Sequence, residues 1–224
     1  MSKCKQRCGW INRAFINKSI TLRRKLWRSY IEPLLDYGSQ LYTPINLGLI
    51  AHLESVQRLF TVQTDNLNIY NYYDRLKLMK LSSVQRRQER YRIIYVWKIL
   101  QGLVPNPGIE WDSNVSRGRI VKIPTIKSSY SIKAKNMREQ SLGVHGGKLF
   151  NSLPVDIRNC TESLDVFKKI LDTLLKDIPD KPVCSGVFPD LIDPSTCKNS
   201  NSIIHWVLYL KLANRRPALP GHTH

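Results

Sequence analysis

The chain has 224 residues, of which 42% are hydrophobic, enough for one substantial domain with a real core and too many for wholesale disorder. Its 35 Lys and Arg face 17 Asp and Glu, a formal net charge of +18, which exceeds what solubility needs and points to a polyanionic partner, with nucleic acid first and an anionic membrane surface second. The longest apolar run, Ile203 to Leu212, is broken by His205 and Lys211 and falls short of the ~20 residues of a spanning helix, so no membrane partner is expected.

Residues 1–11 read as a basic, flexible start. They lack the apolar segment that follows the basic residues of a secretory signal, which leads to the expectation of an intracellular, reducing compartment. From Ile20 to Leu34 the residues Ile20, Arg23, Leu26, Trp27, Tyr30 and Leu34 keep the helical period, with Arg24, Lys25 and Arg28 off the stripe. Pro33 removes an amide donor and should kink or restart that helix. Leu47 to Thr64 repeats the pattern through Leu49, Leu53, Val56, Leu59 and Phe60, with Glu54 and Arg58 spaced for a surface pair. Tyr72 to Met79 reads as a short helix.

Ser83 to Gln101 reads as the central helix. Val84, Arg87, Tyr91, Ile94, Tyr95 and Trp97 form its stripe, while Arg86, Arg90 and Lys98 project elsewhere; Ser82 with Gln85 offers a capping box and Gly102 a stop. Amphipathic helices on short connections bury their stripes against one another, so residues 12–102 are expected to form a helical bundle and the chain to be mainly α.

After Gly102 the texture is irregular or mixed α/β. Residues 103–180 form a basic connection in which Arg119 to Ile123 reads as a strand, and Arg117, Arg119 and Lys122 begin a basic band with Tyr130 inside it. That band is either a phosphate-tracking surface or a solvated arm. Gly146-Gly147 beside Lys148 lacks phosphate-loop spacing. Residues 161–178 make an amphipathic helix ended by Pro179, 181–200 a linker, 201–214 a terminal apolar helix, and 215–224 a disordered tail.

No catalytic constellation emerges. The five cysteines have no His at zinc-site spacing, and no cofactor is implied. Metal-dependent nucleotidyl transfer needs clustered carboxylates, whereas Glu32 with Asp36 reads as a structural or surface pair and Asp190 with Asp193 as a turn. Pairing of Cys160 or Cys184 with a histidine cannot be read from sequence order.

Several phrases together carry a family resemblance: WRSYIEPLLDYGSQLY at 27–42, LESVQRLFT at 53–61, YDRL at 73–76, LSS at 81–83, Arg86-Arg87, WKILQG at 97–102, LFNSLP at 149–154, Ile157-Arg158 and Phe167-Lys168. In content and order they resemble the thumb and trailing segment of reverse transcriptases of non-LTR retrotransposons of the LINE type, jockey-like and CR1-like, across most of residues 20–180. Asp74 departs from the family's usual Glu. The family's palm, with its metal-binding aspartates, and its endonuclease would lie upstream of Met1, so no catalytic residue is carried over. The resemblance implies a non-catalytic fragment of an RNA-directed DNA polymerase that grips RNA or DNA by its backbone. Arg86, Arg87, Arg90 and Lys98 would meet phosphates, with Arg23, Arg24, Lys25 and Arg28 as a second set, in the nucleus or in a cytoplasmic ribonucleoprotein. Two alternatives stand beside it: a protein-interaction module that binds through its apolar terminal helix, Ile203 to Leu212, and through core surface left bare by the missing palm, for example to an element-encoded polymerase, and a decayed remnant without selected function.

Overall fold

The computed structural model describes residues 2–41, 43–44, 46–111, 120–180, 202–204 and 206–207. The fold is mainly helical, with one two-stranded antiparallel ladder among the described residues. Residues 1–11, expected to be flexible, are instead largely helix: α1, Ser2–Ala14, buries Cys4, Cys8 and Ile11. These three are spaced i, i+4, i+7, so they share one face, a stripe that the surrounding charge obscures in the sequence.

The next stretch divides where Pro33 requires it. α2, Ile20–Leu26, passes into a π-helical turn, Trp27–Ile31, and then into α3, Glu32–Asp36, with Pro33 in its first turn, where a helix needs no amide donor. α4, Leu47–Val62, is capped by the Asn46 side chain. Its stripe is displaced from the expected one: Val56 and Phe60 are buried, but Leu49 and Leu59 are exposed, and Glu54, Gln57 and Thr61 go inside. Glu54 makes no surface pair; it accepts hydrogen bonds from the Tyr72 hydroxyl and the Gln85 amide in the interior. α5, Tyr72–Met79, ends at Lys80 in the left-handed region, φ 51°.

α6, Val84–Leu100, is the axis of the molecule and packs against α3, α4 and the later helices. Its cap is Ser83, whose hydroxyl accepts from the Arg86 amide, not the expected Ser82. Gly102 ends it at φ 70°, with Leu103 N donating to Lys98 O. The helix joins two apolar cores. At its start, Val84 belongs to a cluster with Cys8, Ile11, Trp27, Ile31, Phe60 and Met79. Towards its end, Ile93, Val96, Trp97 and Ile99 belong to a second cluster with Leu149, Phe150, Phe167 and Leu171. Between them Gln85, Arg86, Arg87, Gln88, Glu89 and Arg92 are buried polar residues. A helix buried nearly all round shows no clean amphipathic stripe, which is why the single face expected from the sequence is too narrow.

The second core is closed by the C-terminal half. β1, Glu110–Trp111, pairs antiparallel with β2, Val121–Lys122, a shorter strand than the expected 119–123. The Asn151 side chain pins β2, accepting from the Ile120 and Val121 amides and donating to Val121 O. α7, Ile132–Gln140, leads into a second π-helical turn, Leu142–Gly146, then α8, Gly147–Ser152, and α9, Val155–Arg158. The diglycine is a packing device: a Cβ at Gly146 would lie 2.8 Å from Leu142 and 3.1 Å from Val96, and one at Gly147 3.1 Å from Val121. α10, Leu164–Asp177, presents Phe167 and Leu171 to Trp97, whose ring stacks on Phe167 at 4.9 Å. The terminal helix was expected to offer a free apolar face, but Ile203, Trp206 and Val207 lie inside this core, and Ile203 N donates to Glu89 Oε2 at 2.7 Å. The linker 181–200 and the tail 215–224 lie outside the described residues.

Candidate nucleic-acid interface

Arginines expected to meet phosphate turn out to hold the fold together. Arg23 is fully buried: its guanidinium donates to Asn12 Oδ1 at 2.6 Å and Phe60 O at 3.1 Å and lies 3.9 Å over the Phe60 ring. Arg86, 3% exposed, donates to Ile178 O at 3.2 Å and Pro179 O at 2.7 Å, carbonyls at the end of α10, where a cation offsets the unpaired acceptors of a helix C-terminus. Arg87, 7% exposed, donates to Asp36 at 2.9 Å, Gln57 at 3.1 Å and Ser82 O at 2.8 Å, with Glu32 at 3.8 Å. Three residues that the resemblance assigned to phosphate are thus structural, because each finds acceptors from segments distant in sequence; of the three, the helical period puts Arg87 and Arg23 on buried stripes. Glu32 and Asp36 do form a structural pair, jointly facing Arg87. Burial raises both carboxyl pKa values, and the nearby guanidinium offsets that only in part.

The other expected cations fare differently. Arg90 is half-buried and bidentate to Asp172, at 2.5 and 2.8 Å, which ties α6 to α10 and raises its pKa further. Arg24 and Lys98 are half-buried, and Lys25 and Arg28 are exposed. Lys122 is exposed and pairs with Glu110 at 2.6 Å across the two-stranded ladder. Arg117 and Arg119 lie outside the described residues.

What the structure brings together is a groove of about 1010 Å³ between the start of α6, the end of α5 and the last turns of α10. Arg86, Arg87 and Arg90 form its floor, already engaged. Arg28, Lys77, Lys169 and Lys176 line it as exposed cations. Asp172 and Asp180 also line it, but Asp172 is bound to Arg90, and Asp180 accepts from the Ser83 amide and hydroxyl, both at 2.6 Å. The outward charge of the groove is therefore positive. Lys77, Lys169 and Lys176 escaped the sequence reading, although one signal was available: Lys169, Thr173 and Lys176 repeat at i, i+4, i+7 on α10, off the Phe167-Leu171 stripe.

Midway along α6, Arg92 is fully buried and donates to Leu41 O at 2.8 Å and Gln140 O at 2.9 Å. Its guanidinium also lies 2.9 Å from His145 Nδ1. Since a guanidinium only donates, Nδ1 is the acceptor and the proton of the neutral imidazole sits on Nε2. Burial, with Arg92 and Lys148 nearby, lowers the His145 pKa to about 3.

No helix among the described residues is long and apolar enough to cross a membrane. No protein-family model matches the chain, and no solved structure matches it. An uncharacterized protein of Caenorhabditis elegans is similar to it, 31% identical over 85 residues, which cover 37% of this chain and 43% of that protein. The chain thus spans less than half the length of that relative.

Proposed function

We propose that this chain is a non-catalytic nucleic-acid-binding unit, akin to the thumb of a LINE-type reverse transcriptase, that holds RNA or DNA by its phosphates within the cell. The observation that carries the reading is the groove itself. Its carboxylates are consumed by the floor arginines and the α6 cap, leaving Arg28, Lys77, Lys169 and Lys176 to face a ligand. Cations presented without base-reading geometry position a backbone and are tolerant of sequence. Against the competing reading, a protein-docking terminal helix, Ile203, Trp206 and Val207 pack into the core.

A salt titration of duplex binding tests it. About four phosphate contacts give a slope of log affinity against log salt near −3.6, and roughly a hundredfold loss between 50 and 200 mM. Lys169→Gln with Lys176→Gln should make the slope shallower by about 1.8, for every sequence alike. The control, Lys3→Gln with Lys5→Gln, removes equal charge from exposed residues of α1 outside the groove. Equal losses and equal slopes for the two variants would refute the groove as the binding surface.

A further inference from the structure

Next to the groove lies a hollow of about 710 Å³ whose chemistry is different. Its walls include the rings of Tyr37 and Tyr91 and the apolar Pro33 and Leu41, and its acids are Glu32 and Asp36. Arg87, buried behind them, balances those acids at 3.8 and 2.9 Å, but they still make the hollow a poor seat for a phosphate. A flat, uncharged aromatic ring suits it better. Tyr37 stands 92% exposed, where a phenol ring has no packing role to explain it. Its backbone is held in place: it closes α3, Ser39 N donates to Asp36 O at 3.1 Å, and Leu41 N donates to Gly38 O at 3.0 Å. Gly38, at φ 72°, makes the bend that follows it. Arg28, one nitrogen of which donates to Lys80 O at 3.2 Å, borders both the hollow and the groove, so an exposed guanidinium with donors to spare stands where the phosphate-facing surface meets the aromatic one.

We propose that this hollow takes an unpaired nucleobase of a single-stranded segment whose phosphates follow the groove, with Tyr37 as the stacking surface and Arg28 meeting the adjoining phosphate. Aromatic platforms beside a cationic track are how single strands are held without regard to sequence, because every base has a π-face. The inference rests on the groove binding nucleic acid, and it adds that a junction with a single strand is preferred over a blunt duplex.

The test uses the full chain and two fluorescent hairpins of the same stem, one blunt and one with a short single-stranded overhang, against wild type, Tyr37→Ala and Tyr37→Phe. Wild type should bind the overhang hairpin more tightly. Tyr37→Ala should lose about 5- to 150-fold on that ligand, the loss of one stacked base, with blunt-hairpin affinity unchanged. Tyr37→Phe should behave as wild type, since stacking does not use the hydroxyl. Two results overturn the proposal while leaving the groove intact: salt-dependent binding of the blunt hairpin with no gain from the overhang, or a Tyr37→Ala loss equal on both ligands. Failure to bind either hairpin refutes groove and hollow together.

Discussion

Replacing Arg87 by Met keeps most of the side-chain volume and removes the guanidinium, which converts the polar belt of α6 into a defect of known composition. Asp36, with 9% of its side chain exposed, loses its 2.9 Å partner, and Glu32, 19% exposed, loses the nearest opposing charge. Gln57 Oε1 and Ser82 O each lose a donor. Removing one partner of a buried ion pair costs about 3–5 kcal/mol, a large part of the ~5–15 kcal/mol that holds a domain together. With a urea m-value of about 2 kcal/mol/M, the midpoint should fall by about 1.5–2.5 M, read from the fluorescence of the buried Trp27 and Trp97 and from circular dichroism. The sign of the pH dependence is diagnostic. Asp36 and Glu32 already have folded pKa values above their unfolded ones, and without Arg87 they rise further, so the folded variant takes up protons that the unfolded chain does not. The deficit should therefore shrink as pH falls from 7 towards the unfolded carboxyl range near ~4. Asp36→Asn in the same chain should restore part of the loss, since the deeper of the two carboxylates is then no longer left charged without its cation. A deficit under about 1 kcal/mol, the range of surface substitutions, or one that does not change with pH, would refute the assignment of Arg87 as the internal counterion.

Other outcomes follow from the two cores. Trp97 is 1% exposed, stacks on Phe167, and donates from Nε1 to Cys160 O at 2.8 Å; Trp97→Ala should cost about 3–5 kcal/mol, and Trp97→Phe, which retains the stack but orphans that carbonyl, about 1–3 kcal/mol. Urea denaturation checks both, and near-equal costs would mean that the indole hydrogen bond, not packing, dominates. His145, with its pKa lowered to about 3, contributes stability that is fully present above ~6.5 and is lost as pH falls from there towards 3, because the unfolded chain takes up the proton first. The difference in stability between wild type and His145→Gln should accordingly change by up to ~1.4 kcal/mol per pH unit in that window. A difference that stays flat from pH 7 to 4 would show that the imidazole titrates normally and is not buried against Arg92.

Local signals carried much of this molecule. The boundaries of α5 and the stop of α6 at Gly102 follow from caps, a left-handed glycine and the period of apolar residues, all of which act within a turn or two of the chain. The spacing of Phe167 and Leu171 in α10 placed them on the buried face for the same reason. Tertiary structure decided which cations face solvent. An arginine goes inside only where acceptors meet it, and those of Arg87 include Asp36 of α3, 51 residues away, while those of Arg86 come from the end of α10, 92 and 93 residues away. Spacing put Arg87 on the buried stripe of α6 but Arg86 off it, so for Arg86 it could not tell an internal cation from one that waits for phosphate. The groove was hidden by the same physics: Lys77 and Lys169 are ordinary exposed lysines until α6 and α10 pack together and Arg90 and Arg86 take up the local carboxylates. What remains unneutralised at that junction, and hence which charges face outward, is set by the pairing of helices and not by any one of them.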